Sequence, residues 1–274
     1  MSIRALIFAL AVILLLGGIQ AEEKRPAVLF YQCGWSSPNN GYITKPLHGL
    51  GIEIDFCPTG KLAEMIATNK YNVVVASTLK DEERKLLDEF MANGGGVLIC
   101  NPHWSNMADD FNKTCEWLAA MGAKPRYECL EETNKDNIVQ VTFGVLAWSN
   151  DIQPPVNEGV RGMLIQVSDN TTGWDPPMPF DFSQDWQVVV RGAKTMRTKI
   201  DKRNDPTLVP WIPAAPVAES PALMGVRNLS KGRISVIPFR LDWSFSSPPN
   251  CPPVAAMLKH DEGEKKSDWL RIYA

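Results

Sequence analysis

Four short apolar segments in the first hundred residues constrain the fold of this chain more than any other feature. Each is four to six residues long, and they occupy residues 27–32, 52–56, 72–76 and 97–100. The segments at 72–76 and 97–100 are nearly continuous apolar runs, which is typical of strands buried on both faces of a sheet. Together the four segments predict a parallel sheet in the first half of the chain.

Two amphipathic helices accompany these predicted strands. The segment 81–93 begins with acidic residues and ends at the glycines 94–96, which is the expected pattern of a helix start and a helix stop. A second helix is predicted over 110–121. The predicted buried faces carry Leu86, Leu87, Phe90 and Met91 in the first helix and Trp117, Leu118 and Met121 in the second. Parallel strands joined by right-handed helical crossovers predict a flavodoxin-like, doubly wound α/β core.

The second half of the chain is richer in proline, tryptophan and short strands. Strands are predicted at 139–143, 162–167, 187–191, 223–227 and 233–238, separated by Asn, Asp, Gly and Pro turn signals. A long polar, proline-rich loop is predicted over 196–221. Because these strands have no helices of their own, we expect them to extend or flank the first sheet as antiparallel strands. A separate domain is the alternative.

The amino terminus has the three parts of a secretion signal. A basic start ends at Arg4, an apolar run covers 5–16, and the glycines at 17–18 precede a small-residue end at Ala21. The run is shorter than the roughly 20 apolar residues that a membrane helix needs. We therefore expect residues 1–21 to be a cleavable signal peptide and the chain to be exported, with a retained amino-terminal membrane anchor as the alternative.

Charge and cysteine content exclude several classes of function. The net charge of -3 is spread without a basic block, so we expect no nucleic-acid partner and no membrane binding after signal cleavage. The six cysteines include no Cys-x-x-Cys pair, which argues against a zinc ribbon or a thioredoxin site. Disulfides between Cys33 and Cys57 and between Cys115 and Cys129 are candidates, and buried free thiols are an equal alternative for the second pair.

The order of several strand and turn motifs carries a family resemblance. After an acidic helix come N-G-G-G-V-L-I at 93–99, N-E-G-V at 157–160, D-W-Q-V-V-V at 185–190 and L-S-K-G-R-I-S-V at 229–236. In this order the chain resembles the class I glutamine amidotransferase-like superfamily, and more narrowly its exported members related to trehalose-utilisation-like proteins and β-galactosidase trimerisation domains.

The resemblance implies one domain over residues 26–274. Its parts are a flavodoxin-like core at 26–130, a strand-rich extension at 131–245 and a carboxyl-terminal segment at 246–274 that holds only the opening of the family's last helix. The chain is therefore expected to be truncated there.

The resemblance also directs attention to a catalytic cysteine. A catalytic member needs a cysteine on a glycine-flanked elbow between strand and helix, with a His-x-Glu partner. Cys100 ends a predicted strand, but Leu98 and Pro102 stand where the elbow requires glycine, and His260-Asp261-Glu262 lies in a charged stretch. We expect Cys100 to be a small core residue and the domain to lack amidotransferase activity.

The default ligand site of an open α/β sheet is at the carboxyl ends of its strands. The residues that the sequence places there are Trp35, Ser36, Ser77, Asn101, His103 and Trp104. The two tryptophans suit stacking on a sugar, and His103 suits a general base or a metal ligand. A histidine without a second histidine or paired carboxylates nearby in sequence is more often structural.

No cofactor and no metal are predicted. The oxygen-rich segment 169–175 lacks the spacing of a calcium loop, and the glycines at 94–96 precede a strand where a phosphate-binding loop would open a helix. The favoured function is a non-catalytic exported module that binds a partner protein, a second copy of the chain or a carbohydrate. The alternative is a hydrolase of a sugar or amide substrate that uses His103 with Cys100 or a carboxylate.

Overall fold

A computed structural model describes residues 26–32, 47–100, 108–126, 128–141, 144–157, 160, 162–167, 178–200 and 217–238. The strands are β1 (Ala27–Tyr31), β2 (Glu53–Phe56), β3 (Val73–Ala76), β4 (Gly96–Cys100), β5 (Ala123–Pro125), β6 (Glu128–Glu132), β7 (Ile138–Val141), β8 (Gly144–Ser149), β9 (Met163–Val167), β10 (Phe180–Phe182), β11 (Gln187–Arg191), β12 (Met196–Ile200), β13 (Ala222–Leu229) and β14 (Gly232–Ile237). The helices are α1 (Leu62–Ile66), α2 (Asp81–Ala92) and α3 (Ala108–Ala120), with a 3-10 turn at Lys135–Asn137.

A seven-stranded sheet with the order β11-β13-β14-β4-β3-β1-β2 forms the centre of the fold. The strands from β14 through β2 are parallel to their neighbours, whereas β13 is antiparallel to both β14 and β11. Since β13 is antiparallel to both of its neighbours, β11 runs in the same direction as β14 and the other parallel strands. The predicted flavodoxin-like α/β sheet with additional antiparallel strands is confirmed.

One face of this sheet is covered by α1, α2 and α3. Leu87 and Met91 of α2 and Leu118 of α3 are almost fully buried there, against strand residues that include Leu29 and Val97. Each such side chain contributes about 1.5–3 kcal/mol when it is removed from water. The apolar spacing in the two helices therefore predicted the correct packing face.

Strands from the second half of the chain cover the other face. The sheet β7-β8-β9 and the pair β6-β12 supply Leu130, Ile165 and Met196 to a cluster that also contains Phe30 and Val75 of the central sheet. Leu47, in a short helical stretch at 47–49, joins the same cluster. The second half thus flanks the first sheet, as predicted from its lack of helices.

The prediction of a loop over 196–221 was wrong at its start. Residues Met196–Ile200 form β12, which pairs antiparallel with β6. Met196 and Thr198 point inward and are 0% and 1% exposed, while Arg197 and Lys199 point outward and form ion pairs with Glu131 at 2.8 and 3.1 Å. This alternation of buried and charged residues is the signature of a half-buried strand.

Several predicted segments lie outside the described residues. They include the leader at 1–21, the carboxyl-terminal segment at 246–274 and the oxygen-rich segment at 169–175. In the part of the chain that the structure describes, no helix has both the length and the apolar character needed to cross a membrane.

Candidate functional site

The carboxyl edge of the parallel strands is the place where the sequence predicted a ligand site. Trp35, Ser36, Asn101, His103 and Trp104 lie outside the described residues, as do Cys33 and the His260–Glu262 triplet. Ser77 and Cys100 are the two predicted site residues that the structure describes.

Cys100 is the last residue of β4 and is only 1% exposed. Its Sγ donates a hydrogen bond to the Ala76 carbonyl at 3.4 Å, and its side chain belongs to the apolar cluster of Phe30 and Val75. A reactive cysteine needs an accessible thiol in a polar or electropositive environment. Cys100 occupies the position of a small core residue, as predicted.

Ser77 directly follows β3 and is 9% exposed. The loop after it is held from two helices, because the Leu79 N–H donates to Thr114 Oγ1 at 2.9 Å and the Arg84 guanidinium donates to the Leu79 carbonyl. Thr114 in turn donates to the Asp110 carbonyl at 2.7 Å. Ser77 therefore lies on a fixed loop at the predicted edge, but it offers little surface to a ligand.

A buried tyrosine and glutamate form the polar centre of this edge. Tyr31 ends β1, and its hydroxyl donates to Oε1 of Glu83 in α2. The partly exposed Gln32 follows with a positive φ of 48°, and its Nε2 donates to the Tyr31 hydroxyl oxygen at 3.0 Å. Glu83 Oε2 accepts the N–H of Lys80 at 2.8 Å in the capping box of α2. Each carboxylate oxygen thus accepts a hydrogen bond from the protein.

Burial controls the ionisation of the groups beside Glu83. Burial, followed by the hydrogen bond to Glu83 and its charge, raises the pKa of Tyr31 well above the usual value. Cys57 follows β2, and burial with the charges of Glu83 and Glu64 raises its pKa to about 11. Both groups are therefore neutral at pH 7, and the Cys57 thiol is a weak nucleophile.

The cysteines of the described residues are present as thiols. Cys57, Cys115 and Cys129 form no disulfide, and the last two are buried. The suggested Cys115–Cys129 bond is therefore wrong and its alternative, buried thiols, is confirmed. Cys57 is also a free thiol, and its candidate partner Cys33 lies outside the described residues. In the described part of the chain, no three His, Cys, Asp or Glu side chains are grouped to hold a metal ion.

Sequence reasoning missed the Tyr31–Glu83 pair. Tyr31 was grouped with an apolar strand and Glu83 with the acidic first turn of a helix, and the two are 52 residues apart. One local signal was available, since Glu83 stands three residues after the helix N-cap, where a capping-box acceptor belongs.

Comparison with known proteins finds solved structures of low similarity and no relative by sequence. The chain matches no protein-family model and no curated protein. Among solved structures it is similar to the exo-β-1,4-mannosidase Op5Man5 from Opitutaceae bacterium strain TAV5, with 11% identity and a TM-score of 0.41 over 97% of this chain and 38% of that one. It is also similar to a GMP synthase subunit from Thermoplasma acidophilum, with 10% identity and a TM-score of 0.36 over 91% of this chain and 90% of that one.

A third solved structure is the cold-adapted β-galactosidase from Rahnella sp. R3, with 10% identity and a TM-score of 0.35 over 87% of this chain and 31% of that one. The chain thus spans less than two fifths of the length of the mannosidase and of the galactosidase. These likenesses assign no residue role to this chain.

Proposed function

We propose that this chain is an exported, non-catalytic, amidotransferase-like α/β module that binds a carbohydrate or a partner protein at the carboxyl edge of its parallel strands. The observation that carries the proposal is the burial of Cys100, the candidate nucleophile, which is 1% exposed in an apolar cluster. A thiol in this position cannot contact a substrate without displacement of the core around it.

The polar groups around Tyr31 support binding for a second reason. A general base needs an accessible atom within hydrogen-bond reach of its substrate. Glu83 uses Oε1 for Tyr31 and Oε2 for the backbone of Lys80, and its side chain is buried. Gln32, which is partly exposed and bonded to the Tyr31 hydroxyl, is the residue of this network that we assign to ligand contact.

Thiol labelling tests the non-catalytic part of the proposal. The wild-type protein and a Cys100→Ala variant are treated with Ellman's reagent, first folded at pH 8 and then in guanidinium chloride. In the folded state we expect the wild type and Cys100→Ala to have the same number of labelled thiols. In guanidinium chloride we expect the wild type to have one labelled thiol more than Cys100→Ala. Rapid labelling of Cys100 in the folded protein would contradict the proposal, as would a glycosidase or amidase activity that Cys100→Ala abolishes.

A thermal-shift screen tests the binding part. Neutral mono- and disaccharides are added to the mature protein, and a ligand present at about 100 times its Kd is expected to stabilise the native state by about 2.7 kcal/mol. A shift that Gln32→Ala reduces, while Gln153→Ala leaves it unchanged, supports a carbohydrate ligand at this edge. Gln153 is the matched control because it is an exposed glutamine that lies beside β11 and not at this edge. Its Nε2 donates to Asp151 Oδ1 at 2.9 Å. If no saccharide causes a shift, sedimentation across a concentration series tests self-association and a partner protein becomes the remaining ligand class.

A further inference from the structure

A cleft of about 230 Å³ lies at the opposite end of the central sheet, beside β11. Arg126 and residues 180–182 form one side, Val188 and Arg191 of β11 form another, and residues 218–222 complete it. Five strand-to-strand steps separate β11 from β1, which corresponds to about 24 Å. The cleft is therefore distinct from the edge that contains Tyr31.

The wall at 218–222 is fixed by hydrogen bonds. The Ala218 N–H donates to Thr198 Oγ1 at 2.8 Å, and the Ser220 N–H donates to the Met196 carbonyl at 2.9 Å. Ser220 has a positive φ of 46°, and its hydroxyl donates to the Gly192 carbonyl at 2.7 Å. A residue in this unfavourable conformation persists only where its surroundings determine it. The cleft is therefore preformed, which lowers the entropic cost of binding.

The two arginines of the cleft differ in how their charge is compensated. Arg126 donates to Glu128 at 2.9 Å and to Asp181 at 2.8 Å, and its side chain is 8% exposed. Burial alone lowers the pKa of Arg126, but the two carboxylates outweigh burial and raise it. Within the described part of the chain, the Arg191 side chain makes one long hydrogen bond of 3.5 Å to the Ser220 carbonyl and is paired with no carboxylate. A guanidinium carries five N–H donors, so Arg191 has donors available to a ligand.

The remaining lining restricts the class of anion. Asp181 and the exposed Glu219 also line the cleft. Their negative charges repel a doubly charged phosphate more strongly than a singly charged carboxylate. The guanidinium fork matches a carboxylate in two parallel hydrogen bonds. Phe182 and Pro221 provide apolar surface for the rest of the ligand. The volume is below the usual range of about 300–1,000 Å³ for ligand pockets, which limits the ligand to a small molecule.

We propose that this cleft binds a small organic acid, with Arg191 holding its carboxylate and Phe182 and Pro221 contacting its body. Glu219 accepts a hydrogen bond from a ligand hydroxyl where the ligand has one. The proposal is independent of the function proposed for the other edge, because it shares no residue with it.

Calorimetric titration of the unmodified protein provides the first test. The probes are D-glucuronate and pyruvate, each compared with its uncharged methyl ester, which removes the charge and adds one methyl group. We expect at least one acid to bind at least tenfold more tightly than its ester, since a charge-assisted pair is lost. Equal affinity of acid and ester for both probes, or no binding of either acid, would overturn the proposal.

Variants of Arg191 provide the second test. Arg191→Met is expected to weaken binding of the acid at least tenfold, and Arg191→Lys is expected to be intermediate because it keeps the charge and loses the fork. Arg233→Met is the matched control, since Arg233 is exposed near the start of β14, at the other end of the strands. Circular dichroism shows whether each variant is folded. Wild-type affinity in a folded Arg191→Met variant would overturn the assignment; if that variant does not fold, the acid and ester comparison decides.

Discussion

Removal of the Tyr31 hydroxyl should destabilise this protein, because it leaves the buried Oε1 of Glu83 without its donor. Tyr31 is 0% and Glu83 is 7% exposed, so little water can replace the lost hydrogen bond. A hydrogen bond to a charged group contributes about 1.5–3 kcal/mol. We expect Tyr31→Phe to lower the free energy of unfolding by about 2 kcal/mol, which corresponds to a decrease in Tm of roughly 4–8 °C in a protein of this size.

Tyr71→Phe is the matched control for this experiment. The Tyr71 hydroxyl also donates to a carboxylate, Asp55, at 2.9 Å. The Asp55 side chain is 38% exposed and is also paired with Lys70 at 2.5 Å, so water and Lys70 can compensate. The control should cost less than about 1 kcal/mol. Urea unfolding at pH 7, followed by tryptophan fluorescence, measures both variants.

A double-mutant cycle isolates the interaction itself. Glu83→Gln keeps an acceptor oxygen at the start of α2 and removes the charge. We expect a coupling energy of about 1–2 kcal/mol between Tyr31→Phe and Glu83→Gln, since the residues are in direct contact. Coupling near zero, or a cost of Tyr31→Phe no larger than that of Tyr71→Phe, would refute the reasoning that burial strengthens this hydrogen bond.

Three further predictions concern ionisation, a buried ion pair and close packing. Because the pKa of Cys57 is raised from 9.0 to about 11, its thiol favours folding below pH 9 and loses that contribution as the pH rises towards 11. In urea unfolding at a series of pH values, Cys57→Ala should reduce this loss of stability by at most about 1.4 kcal/mol per pH unit. An unchanged dependence of stability on pH would contradict the prediction. Arg126→Met leaves Glu128, whose side chain is 6% exposed, without its cation and should lower the free energy of unfolding by about 3 kcal/mol. Lys61→Met, at the exposed pair with Glu64, should lower it by less than about 1 kcal/mol. Equal losses in urea unfolding would contradict the stronger role of the buried pair. A Cβ at Gly232 would lie 2.3 Å from the carbonyl oxygens of Gly95 and Met91, so Gly232→Ala should lower the free energy of unfolding by about 2 kcal/mol or more. Gly49→Ala is the control, since a Cβ there has nothing within 4 Å, and it should not lower stability. Thermal unfolding measures both, and two variants as stable as the wild type would contradict the prediction.

The central sheet was predictable because its signals are local. Strands such as β3 and β4 are continuous apolar runs, and the apolar spacing of α2 marks its buried face before any partner is known. The short strand β12 was missed because only its pairing with β6 distinguishes its alternation of buried and charged residues from a polar loop. Strands of this kind depend on a partner that is distant in sequence.

The candidate site stays a prediction, because only part of it lies among the described residues. Ser77 and Cys100 follow or end their strands as the apolar runs indicate, and Cys100 is buried, in line with the missing glycines around it. Tyr31 and Glu83 meet only because β1 lies next to β3 and α2 follows β3. No local pattern encodes a contact that the strand order creates.

The two polar regions of the sheet differ in whether the protein pairs its own charged groups, and our two proposals rest on this difference. Glu83 is buried and each of its oxygens accepts a hydrogen bond from the protein, so we expect a neutral ligand at the edge beside β1. Arg191 retains donors in a preformed cleft, so the region beside β11 suits an anion. Under both proposals the ligands differ in charge and bind about 24 Å apart. They should therefore bind without competition, and neither site requires the chain to break or form a covalent bond.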